Sequence, residues 1–284
     1  MPNFACYYYP TTIMIVDDEK TYVDSLKLRF KKYFPCKGYT DPKEALNFIS
    51  NDYHFNSVSN SNRWLLRSKE NLMDVKVDLP AIKQEVYNPD RFEQISIIVV
   101  DQVMPGLKGL ELCRLLGQTD IQKILLTGKV GDAEANDAFN EHLINKFIEK
   151  NSPFLIETLT LSIKEKMLAY FENLSRLTMP HIWQNYRLHF FNNLEFIEFF
   201  YNFIKENNIV EYYLCEQDRF LFLDADGNPS WFLVKNEKEA SREPIKTLQI
   251  EGKNYFCTYI NDPKAYEIDQ DKILSYNKYL KNNN

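Results

Sequence analysis

The chain has 284 residues, of which 34 are basic and 40 are acidic, so its formal net charge is −6. Hydrophobic residues make up 44% of it, which is typical of a globular protein with a length of about two domains. The negative charge argues against non-specific DNA binding, which draws on bulk positive charge, although it leaves a local basic patch open.

The cysteines and apolar runs bear on where the protein works. The five cysteines are scattered, odd in number and never spaced as C-x-x-C, so they predict neither a zinc site nor a disulfide framework. No apolar run approaches ~18 residues. The start "MPNFACYYYP" also lacks the basic and long apolar segments of a secretory signal. We therefore expect a cytoplasmic protein without membrane insertion.

Strand-like and helix-like segments alternate five times through the first 177 residues. The predicted strands are "IMIV", "PCKGYT", "ISIIVVD", "IQKILLTG" and "LINKFIEK", and each is followed by a helical pattern. Continuous apolar runs are typical of strands that are covered on both faces. The alternation therefore predicts an α/β domain over residues 1–177, with a five-stranded parallel sheet between helices.

Residues 51–94 interrupt this alternation between the second helix and the third strand. The segment is polar and rich in Asn and Ser, and we expect an insertion with partly helical content. A connection of this length is usually functional or mobile.

Residues 178–284 follow a different pattern, which predicts a smaller α+β domain. An aromatic helix comes first, then segments typical of antiparallel hairpins, and then a short final helix. No helix-turn-helix with a basic recognition helix is evident. In "FLFLDADGN" the Asp-x-Asp-Gly order resembles the nucleophile motif of haloacid-dehalogenase-like phosphatases, but too few residues follow for such a core. Calcium-loop spacing also fails, and a hairpin turn is the favoured interpretation.

Polar residues follow four of the five predicted strands at their carboxyl ends. These residues are Asp17, Asp18, Asp101, Thr127 and Lys150. In an open α/β sheet the carboxyl ends of the strands form the edge where ligands bind. Each residue alone has a structural interpretation, since Asp before a helix is often a cap, but the whole set favours function. Three crowded carboxylates suit a Mg²⁺ ion, and an Asp can then accept a phosphoryl group that Lys and Thr contact.

The segments "IMIVDDE", "VVDQVMPGLKGLEL", "ILLTG" and "KFIEK" resemble the receiver domain of bacterial two-component response regulators. The resemblance implies a flavodoxin-like fold and a response regulator that receives its phosphoryl group from a sensor histidine kinase, a phosphotransfer protein or a small phosphodonor. It also implies a role for each matching residue. Asp101 would be the phosphoacceptor, Thr127 and Lys150 would contact the phosphoryl group, and Phe147 would be the switch residue. Mg²⁺ would be bound by Asp17, Asp18, Asp101 and the Val103 backbone carbonyl, with Asp17 acting largely through water. Gly128 would keep the approach to the phosphate open.

The sequence departs from this pattern after Lys150, where Asn151 stands in place of the usual proline. A cis bond before Asn would cost about 2.5–4 kcal/mol more than trans. We therefore expect the loop after Lys150 to be set differently from its counterpart in the family.

The function of residues 178–284, the output segment of such a regulator, is what the sequence determines least. We expect residues 178–284 to relay the signal by binding a partner protein or small ligand, with homodimerisation on phosphorylation and no enzyme activity beyond self-phosphorylation and autodephosphorylation. The layout also resembles, more weakly, response regulators of bacterial α-hydroxyketone quorum-sensing circuits. The alternative is a phosphorylation-regulated nucleic-acid-binding or enzymatic output, which a basic groove or a deep polar pocket would favour.

Overall fold

The computed structural model describes residues 4–52, 64–67, 75–117, 119–128, 133–186, 189–236, 244–250 and 252–283. These residues form two compact units that interleave along the chain. The parallel-sheet unit draws its described residues from 11–57, 92–170 and 282–284, and the antiparallel-sheet unit from 1–10, 58–91 and 171–281. No described helix is both long and apolar enough to cross a membrane.

The regular elements are numbered in chain order. The strands are β1 Tyr7–Tyr8, β2 Thr12–Val16, β3 Cys36–Tyr39, β4 Leu65–Arg67, β5 Val75–Val77, β6 Ile95–Asp101, β7 Gln122–Thr127, β8 Lys146–Glu149, β9 Glu211–Glu216, β10 Arg219–Leu223, β11 Pro229–Asn236, β12 Lys246–Ile250 and β13 Lys253–Ile260. The helices are α1 Lys20–Phe30, α2 Pro42–Asn47, α3 Leu79–Gln84, α4 Gly109–Leu115, α5 Ala133–Asn140, α6 Leu155–Ser175, α7 Met179–Tyr186, α8 Leu194–Glu206 and α9 Tyr276–Asn283. Shorter helical turns lie at Phe48–Asp52, Glu85–Tyr87, Pro89–Glu93, His189–Asn192 and Gln270–Lys272.

The parallel-sheet unit confirms the predicted α/β alternation. Its strands lie in the order β3-β2-β6-β7-β8, and every neighbouring pair is parallel. This is the flavodoxin-like order, in which the chain reverses direction across the sheet between β2 and β6. Strands β2 and β6 are buried along their whole length, as their unbroken apolar runs predict.

The antiparallel-sheet unit contains six strands in the order β1-β9-β10-β11-β13-β12. The predicted hairpins are confirmed, since β9, β10 and β11 pair in succession and β12 pairs with β13. The predicted aromatic helix is divided into α7, a short turn and α8. The rings of Phe196 and Phe200 on α8 are fully buried, and Phe200 contacts Phe220, Phe222 and Phe232 of the sheet. The phenylalanines therefore form the core of this unit.

The "DADG" segment is a turn between β10 and β11, as the favoured interpretation predicts. Asp224 Oδ1 accepts hydrogen bonds from the backbone N–H groups of Asp226 and Asn228, both at 2.9 Å. Asn228 Nδ2 donates to Asp224 Oδ2 at 2.9 Å. Asp224 thus has a structural role, because its hydrogen bonds close the turn.

The insertion between α2 and β6 is partly helical, as expected, but it also contains a small hairpin. Strands β4 and β5 pair antiparallel, and α3 follows them. Residues 53–63 and 68–74 of the insertion lie outside the described residues. The described residues from Trp64 to Arg91 belong to the antiparallel-sheet unit, and so does β1, whose Tyr7 pairs with Tyr213 of β9. The units thus divide differently from the contiguous boundary at 177/178, which stays a prediction.

A buried ion pair joins distant segments within the antiparallel-sheet unit. The Arg91 guanidinium donates to both carboxylate oxygens of Glu211, at 2.9 and 3.1 Å, and neither side chain is exposed. Two further guanidinium hydrogens reach the backbone carbonyls of Asn88 and Leu274. The Tyr213 hydroxyl donates to Glu211 at 2.6 Å. The network is well satisfied, so removing one partner would leave a buried charge unpaired.

We expect Arg91→Met to lower the free energy of unfolding of this unit by about 3–5 kcal/mol, because Glu211 would remain buried without its cation. Urea unfolding followed by tryptophan fluorescence is the suitable measurement, since all three tryptophans (64, 183 and 231) lie in this unit. The control is Lys272→Ala, which removes the exposed pair with Asp269 and should cost less than about 1 kcal/mol. Equal effects of the two substitutions would contradict the prediction.

Glu172 on α6 is a partly buried acid of the antiparallel-sheet unit. Burial raises the pKa of its carboxyl to about 7, although a hydrogen bond with Tyr201 opposes the shift. The folded state therefore holds the proton more tightly than the unfolded chain, where a Glu titrates near ~4.3. Stability from this group is present at low pH and is lost as pH rises from about 4.5 through about 7.

We expect Glu172→Gln to leave stability nearly unchanged at about pH 5 and to raise it at about pH 8. The gain should be roughly 1 kcal/mol, because partial solvent exposure reduces the effect of the shifted pKa. Fluorescence-detected urea unfolding at the two pH values measures it. Glu206→Gln, at an exposed position of α8, controls for the loss of one negative charge. A gain of equal size at both pH values would show that Glu172 titrates normally.

Candidate functional site

Three of the predicted site residues lie buried at the carboxyl edge of the parallel sheet. Asp17 directly follows β2, Asp101 ends β6, and Thr127 ends β7. They are 1%, 5% and 2% exposed. Because β2, β6 and β7 are adjacent parallel strands, their carboxyl ends place these polar side chains at one edge. The apolar strands thus deliver acids to a position where water is largely excluded.

Lys150, one residue beyond β8, joins the two buried acids. Its Nζ donates to Asp17 Oδ2 at 2.6 Å and to Asp101 Oδ1 at 3.0 Å. Its backbone N–H donates to the Thr127 carbonyl at 2.8 Å, which fixes the end of β8 against the end of β7. One ammonium therefore lies within hydrogen-bond distance of two carboxylates from different strands.

The other carboxylate oxygens of the two acids bond to the backbone. Asp17 Oδ1 accepts from the Glu19 N–H at 3.0 Å, at the start of α1. Asp101 Oδ2 accepts from the Val103 N–H at 3.1 Å. Asp17 therefore closes a turn on Glu19, the N-cap residue of α1, and is also a member of the site.

The pKa values of the site reflect burial and pairing. Burial raises the pKa of the Asp101 carboxyl, and the Lys150 ammonium opposes the shift without reversing it. Burial acts to lower the pKa of Lys150, but its hydrogen bonds to Asp17 and Asp101 outweigh burial and raise it. The lysine is therefore held in its charged form, as a partner for anionic oxygens.

Close packing and hydrogen bonds hold the turn after Asp101 in place. Gly106 has a φ of +79°, which L-residues with side chains rarely adopt. At Gly109 an added Cβ would press on the Asp101 backbone carbonyl and lie 2.7 Å from Val100 Cγ1. Gln102 receives the Leu110 N–H on its side-chain oxygen and the Gly109 N–H on its backbone carbonyl. The start of α4 is thereby held against the residue that follows Asp101.

The remaining predicted residues have more open positions. Asp18 is exposed, and the Val103 side chain is 75% exposed. Phe147 on β8 is half-buried, with its ring 6.1 Å from the ring of Phe139. An added Cβ at Gly128 would meet no described atom within 4 Å, and its role in keeping the approach to the phosphate open stays a prediction. The peptide bond between Lys150 and Asn151 is trans, like every other described peptide bond.

The donor chemistry of this edge fits a hard divalent cation. Carboxylates and a backbone carbonyl are the oxygen ligands that Mg²⁺ prefers. The Lys150 ammonium between Asp17 and Asp101 shows that the edge already accommodates a cation. Within the described residues, no three His, Cys, Asp or Glu side chains form a ready metal cluster. Magnesium binding by Asp17, Asp18, Asp101 and the Val103 carbonyl therefore stays a prediction.

Tyr22 and Gln102 also belong to this site, although the sequence motifs did not predict them. The Tyr22 ring lies under the Lys150 ammonium, with Nζ 4.4 Å from the ring centroid. Tyr22 is the third residue of the helix that follows Asp17 and Asp18, so its position in the sequence is close to the two acids. No sequence signal distinguishes Gln102 from an ordinary turn residue.

Comparison with known proteins identifies the fold. No protein-family model matches the sequence, and no curated protein matches it. The chain is similar to the Legionella pneumophila response regulator LqsR, with 29% identity and a TM-score of 0.76 over 99% of this chain and 97% of that one. The parallel-sheet unit has the flavodoxin-like fold that the sequence resemblance predicted. The whole chain therefore resembles a response regulator, both in this domain and in the antiparallel-sheet unit.

Two further solved structures match about half of the chain. The Francisella response regulator 1452 receiver domain shares 17% identity at a TM-score of 0.38, over 55% of this chain and 96% of that one. A CheY-like receiver domain protein from Methanospirillum hungatei shares 19% at a TM-score of 0.37, over 56% and 94%. Of these three matches, LqsR alone is aligned along nearly the whole chain.

We expect Gly109→Ala to destabilise the parallel-sheet unit by about 1–3 kcal/mol, because the added methyl group is forced against the Asp101 backbone. Hydrogen exchange of the β6 amides, followed by mass spectrometry, should become about tenfold faster or more. Gly128→Ala is the control, since its added methyl group meets no atom of the described residues within 4 Å. Unchanged β6 exchange in Gly109→Ala would show that the turn can relax away.

Proposed function

We propose that this protein is a two-component response regulator whose phosphoacceptor is Asp101. The observation that carries the proposal is the pairing of Asp101 and Asp17 with Lys150 at the carboxyl edge of a receiver-type sheet. Asp101 ends the buried central strand, and in this proposal a phosphodonor approaches its carboxylate beside Thr127 and Gly128. Similarity to a response regulator along almost the whole chain supports the same function.

In the proposed reaction a carboxylate oxygen of Asp101 attacks the phosphorus of a phosphohistidine or a small phosphodonor. An acyl–phosphate bond forms, the bond from phosphorus to the donor breaks, and the donor leaves with that bonding pair. Such a transfer depends on positioning and on neutralisation of charge more than on covalent chemistry. Lys150 supplies a fixed positive charge, and the Thr127 hydroxyl supplies a hydrogen bond to the transferred group.

Mg²⁺ is the proposed cofactor, held by Asp17, Asp18, Asp101 and the Val103 carbonyl, with Asp17 acting largely through water. When bound, it would neutralise charge on the phosphoryl oxygens. The chain's own residues have separate tasks: Asp101 supplies the nucleophile, Lys150 binds phosphoryl oxygen, and Gly128 leaves the approach free.

Phosphorylation would act as a switch by adding charge at Asp101. A phosphoryl group brings about two negative charges and strong acceptor oxygens. We propose that Thr127 and Phe147 move toward it and that the surface formed by α5, β8 and α6 changes. A sensor histidine kinase or a phosphotransfer protein would supply the phosphoryl group, and the changed surface would support homodimerisation.

We propose that the output acts by binding a protein or a small ligand rather than DNA. Helix α8 carries Glu195, Glu198 and Glu206 against Lys205 as its charged residues, so it is not a basic recognition helix. Its aromatic side chains pack into the core of its own unit. A role in quorum sensing, with residues 178–284 as the output segment, is the finer proposal that the layout of the sequence suggests.

Wild-type protein incubated with acetyl phosphate and Mg²⁺ should gain an acid-stable, hydroxylamine-labile phosphoryl group, and Asp101→Asn should not. The amide of Asn cannot serve as the nucleophile in its place. Phosphate-affinity gels and intact-protein mass spectrometry measure the label. Chelation of Mg²⁺ should abolish it if the predicted ligand set is correct.

Asp137→Asn, at an exposed position of α5, is the matched control and should be labelled like the wild type. Labelling of Asp101→Asn at the wild-type rate would reject Asp101 as the acceptor. Labelling that persists without the metal would reject the Mg²⁺ requirement alone and leave the acceptor assignment intact.

A further inference from the structure

Tyr22, the third residue of α1, contacts the site through its ring. Lys150 Nζ lies 4.4 Å from the ring centroid. The Tyr22 hydroxyl is buried and has no hydrogen-bond partner among the described residues. No motif in the sequence assigns this residue a role.

The contact with Lys150 is of a kind that gains strength away from water. An ammonium over an aromatic face is attracted by the ring quadrupole, and the attraction grows when the pair is desolvated. The Lys150 side chain is 20% exposed, so most of it is withdrawn from solvent. Its ammonium contacts two carboxylates and the Tyr22 ring.

The ring also differs from the Asp101 carboxylate, another partner of Lys150, in what phosphorylation would do to it. The Asp101 carboxylate would become an acyl phosphate, so the ammonium would exchange a carboxylate oxygen for a phosphoryl oxygen. The ring face carries no group that this reaction changes. It can therefore contact the ammonium before and after transfer.

We propose that Tyr22 is a positioning residue, whose ring holds the Lys150 ammonium in place while its hydrogen-bond partner changes from Asp101 to the phosphoryl group. This inference rests on the proposed phosphoacceptor function. The ring, not the hydroxyl, performs the task. Since the hydroxyl donates to no described group, its removal takes away no described hydrogen bond, and Phe is the conservative replacement.

The kinetic test compares Tyr22→Leu, which removes the ring, with Tyr22→Phe, which keeps it. With acetyl phosphate and Mg²⁺, Tyr22→Leu should be labelled about 3- to 30-fold more slowly, the range expected for loss of a cation–π contact. Tyr22→Phe should be labelled within about twofold of the wild type, since the ring contact is retained. Tyr33→Leu is the matched control, because it removes a half-exposed tyrosine whose ring contacts Lys32 and should leave labelling unchanged.

A spectroscopic test is independent of phosphorylation. In the full chain labelled with ¹³C and ¹⁵N at lysine, the Lys150 side-chain resonances are assigned by their loss in Lys150→Arg. Ring currents should shift them upfield in the wild type and in Tyr22→Phe, and the shift should vanish in Tyr22→Leu. A residue that merely supports the fold would not produce this pattern. If Tyr22→Leu fails to fold, Tyr22→Met removes the ring in its place.

Several outcomes would overturn the proposal. Equal slowing in Tyr22→Phe and Tyr22→Leu would assign the effect to the hydroxyl. Absence of the upfield shift in the wild type would show that the contact does not form, and a normal labelling rate in Tyr22→Leu would show that it does no positioning. In these cases wild-type labelling persists, whereas failure of the proposed function would abolish labelling of the wild type itself.

Discussion

The arrangement of the site depends on one ammonium between two buried carboxylates. Asp17 and Asp101 are almost fully buried, and burial of a charge is costly unless a partner compensates it. Lys150 supplies that partner with hydrogen bonds of 2.6 and 3.0 Å. The acids come from two adjacent strands and the lysine from the edge strand β8, so only the folded parallel sheet brings the three together. The same sheet that forms the core therefore also determines the electrostatics of its edge.

Much of this could be predicted from the sequence, because two simple rules govern it. Continuous apolar runs such as Ile95–Asp101 are typical of buried parallel strands, and such strands align their carboxyl ends. The positions of Asp17, Asp101, Thr127 and Lys150 in the sequence were therefore enough to place them at one edge. The "DADG" turn was predictable for a similar reason, since its geometry is determined by residues within the turn itself.

What could not be predicted depends on contacts between residues far apart in the chain. Strand β1 has two residues, too few for a periodic pattern, and it is ordered by pairing with β9 about 200 residues later. Arg91 and Glu211 are 120 positions apart and look like ordinary surface charges in the sequence. Tyr22 resembles a core residue of an amphipathic helix, and its importance comes from the ammonium above it. In each case the partner is specified by tertiary packing, which local patterns do not encode.

The packing contacts and hydrogen bonds around Asp101 constrain how a chemical change at this residue can be transmitted. Gly109 lies against the Asp101 carbonyl, Gln102 accepts hydrogen bonds from the start of α4, and the Lys150 N–H is bonded to the Thr127 carbonyl. The backbone at the ends of β6, β7 and β8 is therefore held in place. A packed and hydrogen-bonded frame of this kind favours a change between discrete side-chain arrangements over gradual deformation. Lys150 is the side chain with the most to exchange, because one of its two carboxylate partners, Asp101, is the proposed site of phosphorylation.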